Sequence, residues 1–447
     1  MKGEILQGPP SLSFHKFNID SRLSEPGELF FALVAERNGH DFITQAADRG
    51  ASGAVISQKI IPPFDDFALI KVPNTLKALQ KLAQNTLSKH PVKVVGITGS
   101  IGKTSTKEFT SALLAKRFKV LKSEGNFNNH LGLPLSVLKL RQHHEIAVLE
   151  MGMSHLGEIK RLTQIAPPDV AVITNVQPVH LEFCESMENI ARAKKEILEG
   201  LRPEGTAVLN GNDPWVNKLS SEWRGEKIFF GFGKNWDISA RNIQKTGLER
   251  MTFELNYGGQ RENVILPTFY ESTLSNFLAA AAIAYIFSVP LKSVKECALQ
   301  LKPFARRGTV FRLKNGRTLI DDSYNSNPAA LETTLQSVAA LPAKRRVAVL
   351  GDMLELGEDS PKYHVSAGKM AVKCRFDLLV TVGPLSKHMA EGAREEGMPA
   401  DRVFSFEDSP EAAEKLGEIL EKGDLILVKG SRGIKMEHIV EKLQEEG

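Results

Sequence analysis

A phosphate-binding loop is indicated by residues 96–105, which read GITGSIGKTS. The segment follows an apolar, strand-like run and opens a helical pattern, a context in which backbone N–H groups and a helix N-terminus can surround phosphate oxygens. Lys103 is placed to reach the terminal phosphates, and the hydroxyl of Thr104 to face Mg²⁺. The strict spacing of such loops would require glycine where the chain has Ile97, which indicates a subclass; a glycine-rich turn without a nucleotide is the alternative. The candidate nucleotide-binding residues here are Gly99, Gly102, Lys103, Thr104 and Ser105.

Polar residues also end two later apolar runs. Glu150 ends the first, and Thr174 and Asn175 end the second. Ligands of open α/β sheets bind outside the carboxyl ends of the strands, so we expect these residues near the phosphate loop. For Glu150 a solvated carboxylate at a strand end is the alternative.

Alternating strand-like and helix-like segments predict an α/β fold. Residues 30–57 indicate a small α/β unit, a helix is predicted over 75–89, and we place a domain boundary near residue 92. The apolar runs that follow predict a parallel sheet covered on both faces. A second series begins after the Ala-rich helix 276–287 and predicts a separate doubly wound domain. The runs lie at 94–98, 146–150, 170–174 and 206–209, then at 347–350, 378–382 and 425–428.

Length and composition are those of a folded protein with several domains. At 447 residues, about three domains are expected at roughly 150 residues each. Lys plus Arg number 57 against 53 for Asp plus Glu, a balance too even to indicate a nucleic-acid or membrane partner. The three cysteines lack zinc-site or disulfide spacing, and the longest apolar run, 277–287, is shorter than the roughly 20 residues of a membrane-spanning helix. We therefore expect a reduced, cytoplasmic setting.

The phosphate loop resembles that of the Mur ligase superfamily, which also includes folylpolyglutamate synthases and cyanophycin synthetases. Residues 321–328 (DDSYNSNP), after the predicted strand 318–320, are very similar to the signature of the branch that adds D-alanyl-D-alanine; other branches have a histidine-containing version. Residues 349–357 (VLGDMLELG) and 428–433 (VKGSRG) agree with that branch. Short segments between residues 20 and 42 resemble the family's uridine-nucleotide-binding domain. The resemblance covers nearly the whole chain.

The chain departs from the family pattern at two places in addition to Arg306, which replaces the usual glycine before Arg307. Gln177 stands where the family usually has glycine, and Ser272 and Thr273 replace a common His-Asn pair. The first departure concerns the shape of a loop, and the second concerns contacts on the adenine side of the nucleotide.

The resemblance implies an α/β, three-domain Mur ligase architecture. It comprises a small N-terminal α/β domain that binds the UDP-linked substrate (1–92), a central P-loop ATPase domain with a parallel sheet (93–305), and a C-terminal doubly wound, Rossmann-like domain that contacts dipeptide and nucleotide (306–447). The implied activity is ATP-dependent joining of D-alanyl-D-alanine to UDP-N-acetylmuramoyl-tripeptide through an acyl phosphate, in cytoplasmic peptidoglycan precursor synthesis. A monomer is expected. Another amide ligase of the superfamily and a P-loop hydrolase or switch remain as alternatives.

The resemblance also implies the roles of individual residues. Two Mg²⁺ ions are expected, with Lys194, on a helix predicted over 190–201, as a carbamylated lysine and the adjacent Lys195 as an ordinary surface lysine. The implied metal ligands are Thr104, Glu150, His180 and Lys194. The implied catalytic residues are Lys103, Lys194 and His180. Further nucleotide contacts are assigned to Asn276, Arg307, Asp322 and Asn325, with Arg306 as an alternative to Arg307. Substrate contacts are assigned to Ser21, Arg22, Asn38, His40, Tyr324, Lys429 and Arg432.

Overall fold

The computed structural model describes residues 3–9, 11–233, 236–302 and 304–446. Within them the strands form three sheets, of five, nine and six strands in chain order. Each sheet has helices packed on it, so every sheet is a layer between or beneath helices.

The N-terminal sheet has the order β1-β5-β4-β3-β2, with β1 antiparallel and the other strands parallel. Alternate residues of a strand point to opposite faces. Accordingly, Phe30 and Ala54 belong to the core beneath α1, whereas Phe31 and Val55 belong to the core that includes α2. The second helix also packs on two helices of the next sheet, α4 (Gly132–Leu138) and α5 (Glu158–Ile165), so it joins the first two layers of the chain. The elements are β1 (Glu4–Gln7), β2 (Phe17–Asn18), β3 (Leu29–Phe31), α1 (Ile43–Asp48), β4 (Gly53–Ile56), β5 (Ala68–Lys71) and α2 (Thr75–Ser88), with 3₁₀ turns at Ser21–Leu23 and Gly39–Phe42.

The central sheet has the order β14-β13-β12-β11-β10-β9-β6-β8-β7. Strands β6 to β12 are parallel, and β12, β13 and β14 form an antiparallel meander at one edge. The inner strands are buried along their whole length, which explains their continuous apolar sequences. The elements are β6 (Lys93–Thr98), α3 (Lys103–Leu114), β7 (Val120–Lys122), α4 (Gly132–Leu138), β8 (Ile146–Glu150), α5 (Glu158–Ile165), β9 (Val170–Ile173), α6 (Leu181–Cys184), α7 (Met187–Glu199), β10 (Thr206–Asn210), α8 (Pro214–Glu222), β11 (Lys227–Phe232), β12 (Ile238–Thr246), β13 (Arg250–Tyr257), β14 (Gln260–Leu266), α9 (Glu271–Ile286) and α10 (Leu291–Ala298).

The C-terminal sheet has the order β15-β16-β20-β17-β18-β19, and all of its pairs except β15 with β16 are parallel. Two buried clusters lie on its opposite faces, as expected for a doubly wound sheet. The elements are β15 (Thr309–Arg312), β16 (Thr318–Asp322), α11 (Pro328–Ala339), β17 (Arg345–Gly351), α12 (Ser360–Lys373), β18 (Leu378–Val382), α13 (Lys387–Glu395), β19 (Val403–Phe406), α14 (Ser409–Ile419), β20 (Asp424–Lys429) and α15 (Glu437–Glu446), with 3₁₀ turns at Gly357–Asp359, Ala400–Arg402 and Arg432–Ile434.

The predicted α/β class with three domains is confirmed, and each predicted strand run falls on an observed strand. The predicted parallel central sheet is confirmed over β6 to β12, and an antiparallel meander, β12 to β14, extends it at one edge. The Ala-rich helix begins at Glu271, five residues before its predicted start, and the helix that carries Lys194 spans Met187–Glu199. Asp321 and Asp322 belong to β16 and do not follow it. None of the described helices is long and apolar enough to cross a membrane.

Candidate active site

Two glycines give the phosphate loop its shape. Gly99 has φ +150°, and a Cβ on it would lie 1.9 Å from Oγ1 of Thr174. Gly102 has φ +86° and immediately precedes α3, and a Cβ there would lie 2.1 Å from Oδ1 of Asn276. Both positions therefore require glycine, for space and, at Gly102, for backbone conformation as well.

Asn175, at the end of β9, holds the tip of this loop. Its Oδ1 accepts from the backbone N–H of Ile101 at 2.9 Å, and its Nδ2 donates to the carbonyl of Ile101 at 3.0 Å. The neighbouring Gln177 N–H donates to Oγ of Ser100 at 2.8 Å. The backbone at Gln177 is not left-handed, so glycine is not needed at this position.

Lys103 begins α3 and folds back over the loop. Its Nζ donates to the carbonyls of Gly99 at 2.7 Å and Ser100 at 3.2 Å. Burial lowers the pKa of Lys103, the carboxylate of Glu150 opposes that shift, and Arg307 adds to it. An anionic ligand in front of the loop would supply a negative charge opposite the ammonium group of Lys103.

Oxygen atoms suited to a hard cation lie beside the loop. Oγ1 of Thr104 donates to Oε2 of Glu150 at 2.9 Å, and Nδ2 of Asn128 donates to Oε1 of Glu150 at 2.9 Å. Among the described residues there is no cluster of three or more His, Cys, Asp or Glu side chains that could hold a metal by themselves. Mg²⁺ nevertheless fits here, because it is usually held by one or two carboxylates together with water and phosphate oxygens.

The adjacent lysines of α7 differ sharply in environment. Lys194 is 1% exposed, and its Nζ lies 3.6 Å from the sulfur of Met153, which itself lines the cavity described below. Burial first, and then the charge of Lys103, lower the pKa of Lys194 well below its ordinary value. Lys195 is instead paired with Glu222 at the surface, as predicted for an ordinary lysine. A lowered pKa favours the neutral amine, which fits the chemistry of carbamylation because CO₂ adds only to a neutral amine.

His180 lies in the loop after β9, directly before α6, and its ring contacts the C-terminal domain. Nδ1 of His180 is 2.5 Å from Oε2 of Glu355. This hydrogen bond lowers the pKa of the Glu355 carboxyl group.

Arginine residues from the C-terminal part of the chain surround Tyr324. The guanidinium carbons of Arg307 and Arg432 lie 4.1 Å and 5.6 Å from the centre of the Tyr324 ring. Nη2 of Arg307 also donates to Oγ1 of Thr104 at 3.3 Å, which links the two domains. Arg306 points elsewhere and pairs with Glu437 on α15 at 2.8 Å. Of the two candidate arginines, the structure therefore places Arg307 at the phosphate loop.

Lys429, at the end of β20, is buried against an acidic partner. Its Nζ donates to Oδ2 of Asp322 at 2.7 Å and to the carbonyl of Asn325 at 3.0 Å. Thr334 donates to the same oxygen of Asp322 at 3.1 Å. Because its charge is already balanced by Asp322, Lys429 stabilises the segment that carries Tyr324 and Asn325.

One cavity of about 730 Å³ brings most of these groups together between the central and C-terminal domains. Its wall includes Ser272 and Thr273 from the first turn of α9. The sequence-predicted residues that line it are Gly102, Lys103, Thr104, Ser105, Glu150, His180, Asn276, Arg307, Asp322, Tyr324, Asn325 and Lys429. Two further candidates adjoin this wall: Gly99 directly precedes the lining residue Ser100, and Lys194 contacts the lining residue Met153. Arg432 is separated from the lining and contacts it through Tyr324.

The N-terminal candidates form a second cluster at the carboxyl ends of the parallel strands β2, β3 and β4. Oγ of Ser21 donates to Oε1 of Gln45 at 2.6 Å, and Nδ2 of Asn38 donates to Oε1 of Gln58 at 3.1 Å. Nε2 of His40 accepts from the backbone N–H after β4, while Nδ1 is 2.8 Å from Asn38. Arg22 is exposed and paired with Asp20. This edge offers donors and acceptors where ligands of α/β sheets bind.

Several polar residues of the main cavity were missed by the sequence reasoning. Asn128 is the most consequential, because it holds Glu150 directly. The sequence did contain a signal for this residue. Asn128 belongs to an asparagine-rich segment that follows β7 and precedes α4. The missed polar lining residues include Asn128, Asn129, His130, Ser154, Glu158, Asn210, Asn212, Asp213, Tyr270 and Asn327.

Comparison with known proteins gives matches over most of the chain. The Mur ligase middle domain matches residues 97–284, and the Mur ligase, glutamate ligase domain matches residues 306–432. The UDP-N-acetylmuramoyl-tripeptide--D-alanyl-D-alanine ligase of Bacillus subtilis is 35% identical over 433 residues, which are 96% of this chain and 93% of the relative.

Two solved structures are similar over almost the whole length. MurF from Acinetobacter baumannii matches with a TM-score of 0.88 at 29% identity, covering 98% of this chain and 94% of that one. MurF ligase from Thermotoga maritima, solved in complex with ADP, matches with a TM-score of 0.84 at 30% identity, covering 98% and 99%.

Proposed function

Because the chain belongs to the Mur ligase family, we propose that it is an ATP-dependent ligase that joins D-alanyl-D-alanine to UDP-N-acetylmuramoyl-tripeptide. The observation that carries the proposal is the shared cavity, in which the phosphate loop of the central domain faces Tyr324 and Asn325 of the C-terminal domain. These two residues belong to the segment that resembles the D-alanyl-D-alanine-adding branch. The reaction belongs to the synthesis of peptidoglycan precursors.

The proposed reaction has two steps. A terminal carboxylate oxygen of the tripeptide attacks the γ-phosphorus of ATP, the bond to the β,γ-bridging oxygen breaks, and ADP leaves. The amine of D-alanyl-D-alanine then attacks the carbonyl carbon of the acyl phosphate, the bond to the phosphate oxygen breaks, and phosphate leaves. The proton of the amine passes to a base or to water. No covalent bond to the protein is needed.

Lys103 and Arg307 are proposed to bind the transferred phosphoryl group. Both are cationic donors on the cavity wall, and they approach the same hydroxyl-carboxylate pair from two domains. Charge that builds up on phosphoryl oxygens is stabilised most effectively by donors that are already in place. The site must also hold the carboxylate, the phosphoryl group and the amine in line with one another.

The metal ligands are proposed from the fit of their donor atoms. Thr104 and Glu150 would hold a first Mg²⁺, and His180 with carbamylated Lys194 a second. Bound Mg²⁺ would neutralise charge on the phosphate oxygens. Carbamylation converts the neutral Lys194 amine and CO₂ into a carbamate and a proton, and the lowered pKa of this lysine supports the neutral form. A carbamate supplies the oxygen ligands that Mg²⁺ prefers.

The N-terminal cluster around Ser21, Asn38 and His40 is proposed to bind the uridine diphosphate part of the substrate. Its support is the position at the carboxyl ends of β2, β3 and β4, apart from the residues that line the ATP cavity. The domain boundaries 1–92, 93–305 and 306–447 are proposed with it, since each range contains one sheet. A cytoplasmic monomer completes the proposal.

Another amide ligase of the superfamily would use the same loop with a different substrate, and a P-loop hydrolase or switch would need no peptide. Release of ADP by the full chain separates them. It should require UDP-N-acetylmuramoyl-tripeptide and D-alanyl-D-alanine together, with one phosphate released per ADP. Equal ADP release without the dipeptide would indicate a hydrolase, and dependence on glutamate in its place would indicate another ligase.

A further inference from the structure

We propose that Glu355 is a positioning residue that fixes His180 in the tautomer with hydrogen on Nδ1 and a free electron pair on Nε2. The proposal rests on the proposed function, in which His180 ligates a metal. Under this proposal Glu355, in the C-terminal domain, orients the ring of His180, in the central domain.

The contact joins two strained backbone positions. His180 has φ 54° and Glu355 has φ 63°, both in the left-handed region. For residues other than glycine this conformation is uncommon. The side chains nevertheless meet with Nδ1 and Oε2 at 2.5 Å. A short hydrogen bond between two such positions indicates that the surrounding loops define this contact.

The chemistry of the pair assigns the tautomer. An ionised carboxylate can only accept hydrogen bonds, and the side chain of Glu355 is 49% exposed to solvent. Nδ1 of His180 must therefore carry the hydrogen. In a neutral ring, Nε2 is then the nitrogen that offers an electron pair, and His180 lines the cavity. Carboxylates commonly orient metal-binding histidines through the second ring nitrogen.

The loops around the pair also touch. A Cβ at Gly357 would lie 3.5 Å from Cα of Glu182, an ordinary van der Waals distance. Gly357 lies two residues after Glu355, and Glu182 lies two residues after His180. The contact between His180 and Glu355 forms when the two domains are in the arrangement seen here. The orientation of the His180 ring therefore depends on how closely the central and C-terminal domains approach each other.

The test compares Glu355→Gln with the control Glu358→Gln, which alters an exposed glutamate of the same loop. Nitrogen-15 spectra of the free, metal-free chain report the tautomer of the neutral ring when they are recorded at increasing alkaline pH until the His180 signals stop changing. A His180→Asn variant assigns the signal. Wild type and Glu358→Gln should show hydrogen on Nδ1. Glu355→Gln should show both tautomers, because an amide can donate as well as accept.

Binding and kinetics give the second readout. Glu355→Gln should weaken Mn²⁺ binding or lower kcat by about 10- to 100-fold, the usual effect of losing a partner that orients a metal ligand. The KM for D-alanyl-D-alanine should change less than about threefold, a difference of roughly 0.65 kcal/mol. Glu358→Gln should match wild type in both.

Three results would overturn the proposal. These are hydrogen on Nε2 in wild type, the wild-type tautomer in Glu355→Gln, and a shifted tautomer with unchanged Mn²⁺ affinity and kcat. Failure of the wild-type chain to make the ligated product would instead contradict the proposed function. The tautomer measurement on the free chain does not depend on that activity, so the two failures are distinguishable.

Discussion

Replacing Lys103 by alanine should abolish ligation while leaving the fold intact. Among the described residues, Nζ of Lys103 donates to two carbonyls of its own loop, those of Gly99 at 2.7 Å and Ser100 at 3.2 Å. Loss of one preorganised electrostatic donor costs about 10²–10³-fold in kcat, roughly 2.7–4 kcal/mol. The free energy of unfolding should change by less than about 1 kcal/mol, because burial of the ammonium offsets these local hydrogen bonds.

The lowered pKa of Lys103 gives the pH dependence a definite sign. Burial makes the folded state hold the proton less tightly than the unfolded chain, whose ordinary value is 10.5. Below the lowered pKa the cost of burying the charge is fully present, and it fades as pH rises toward 10.5. Any gain in stability of the alanine variant over wild type should therefore be largest below the lowered pKa of Lys103 and shrink as the pH rises toward 10.5.

The assay is steady-state ligation combined with urea unfolding at two pH values. Lys116→Ala serves as the control, since Lys116 is exposed just beyond the far end of α3. It should retain wild-type kcat. The assigned role would be wrong if Lys103→Ala retained more than about a tenth of the wild-type rate. Its loss of activity would then be smaller than the loss expected when one such donor is removed.

Three further predictions concern the phosphate loop, the carbamylated lysine and the uridine site. Gly102→Ala should lower the free energy of unfolding by about 1–3 kcal/mol and weaken ATP binding, since its φ is left-handed and a methyl group would meet an asparagine oxygen of α9 at 2.1 Å; an unchanged urea midpoint would contradict this. Labelled bicarbonate should give a carbamate carbon signal in NMR that is lost in Lys194→Arg and retained in Lys195→Arg, and the opposite pattern would assign the carbamate to the surface lysine. A Ser21→Ala, Arg22→Ala double variant should bind UDP-N-acetylmuramoyl-tripeptide at least about tenfold more weakly in calorimetry, roughly 1.4 kcal/mol, with ATP affinity as the unchanged control; equal affinity would move the uridine site elsewhere.

The buried strands were predictable because a strand that is buried on both faces is apolar at nearly every position. β9 is apolar throughout, β8 is apolar up to the terminal Glu150, and both strands lie inside the central sheet. The meander was missed although β13 alternates between buried and half-buried positions, which is a strand signal. The start of α9 was misplaced because its polar first turn lacks the alanine-rich character of the rest, and the helix is fixed there by packing on α3 and β10 to β12.

The phosphate loop was predictable because its glycines and Lys-Thr pair act within a few residues. Contacts between distant segments were not. Nothing in the local sequence places Asn128 against Glu150, or distinguishes Arg307 at the loop from Arg306 at α15. The pairing of His180 with Glu355 spans 175 positions of the chain and depends on the approach of two domains.

Mass spectrometry of the product tests the central claim most directly. The full chain is incubated with ATP, Mg²⁺, D-alanyl-D-alanine and a panel of UDP-N-acetylmuramoyl-tripeptides that differ in the third residue. The account predicts a product heavier than one of these tripeptides by D-alanyl-D-alanine less one water, formed with one ADP per product. Release of ADP without that product, or addition of a different amino acid in its place, would contradict it.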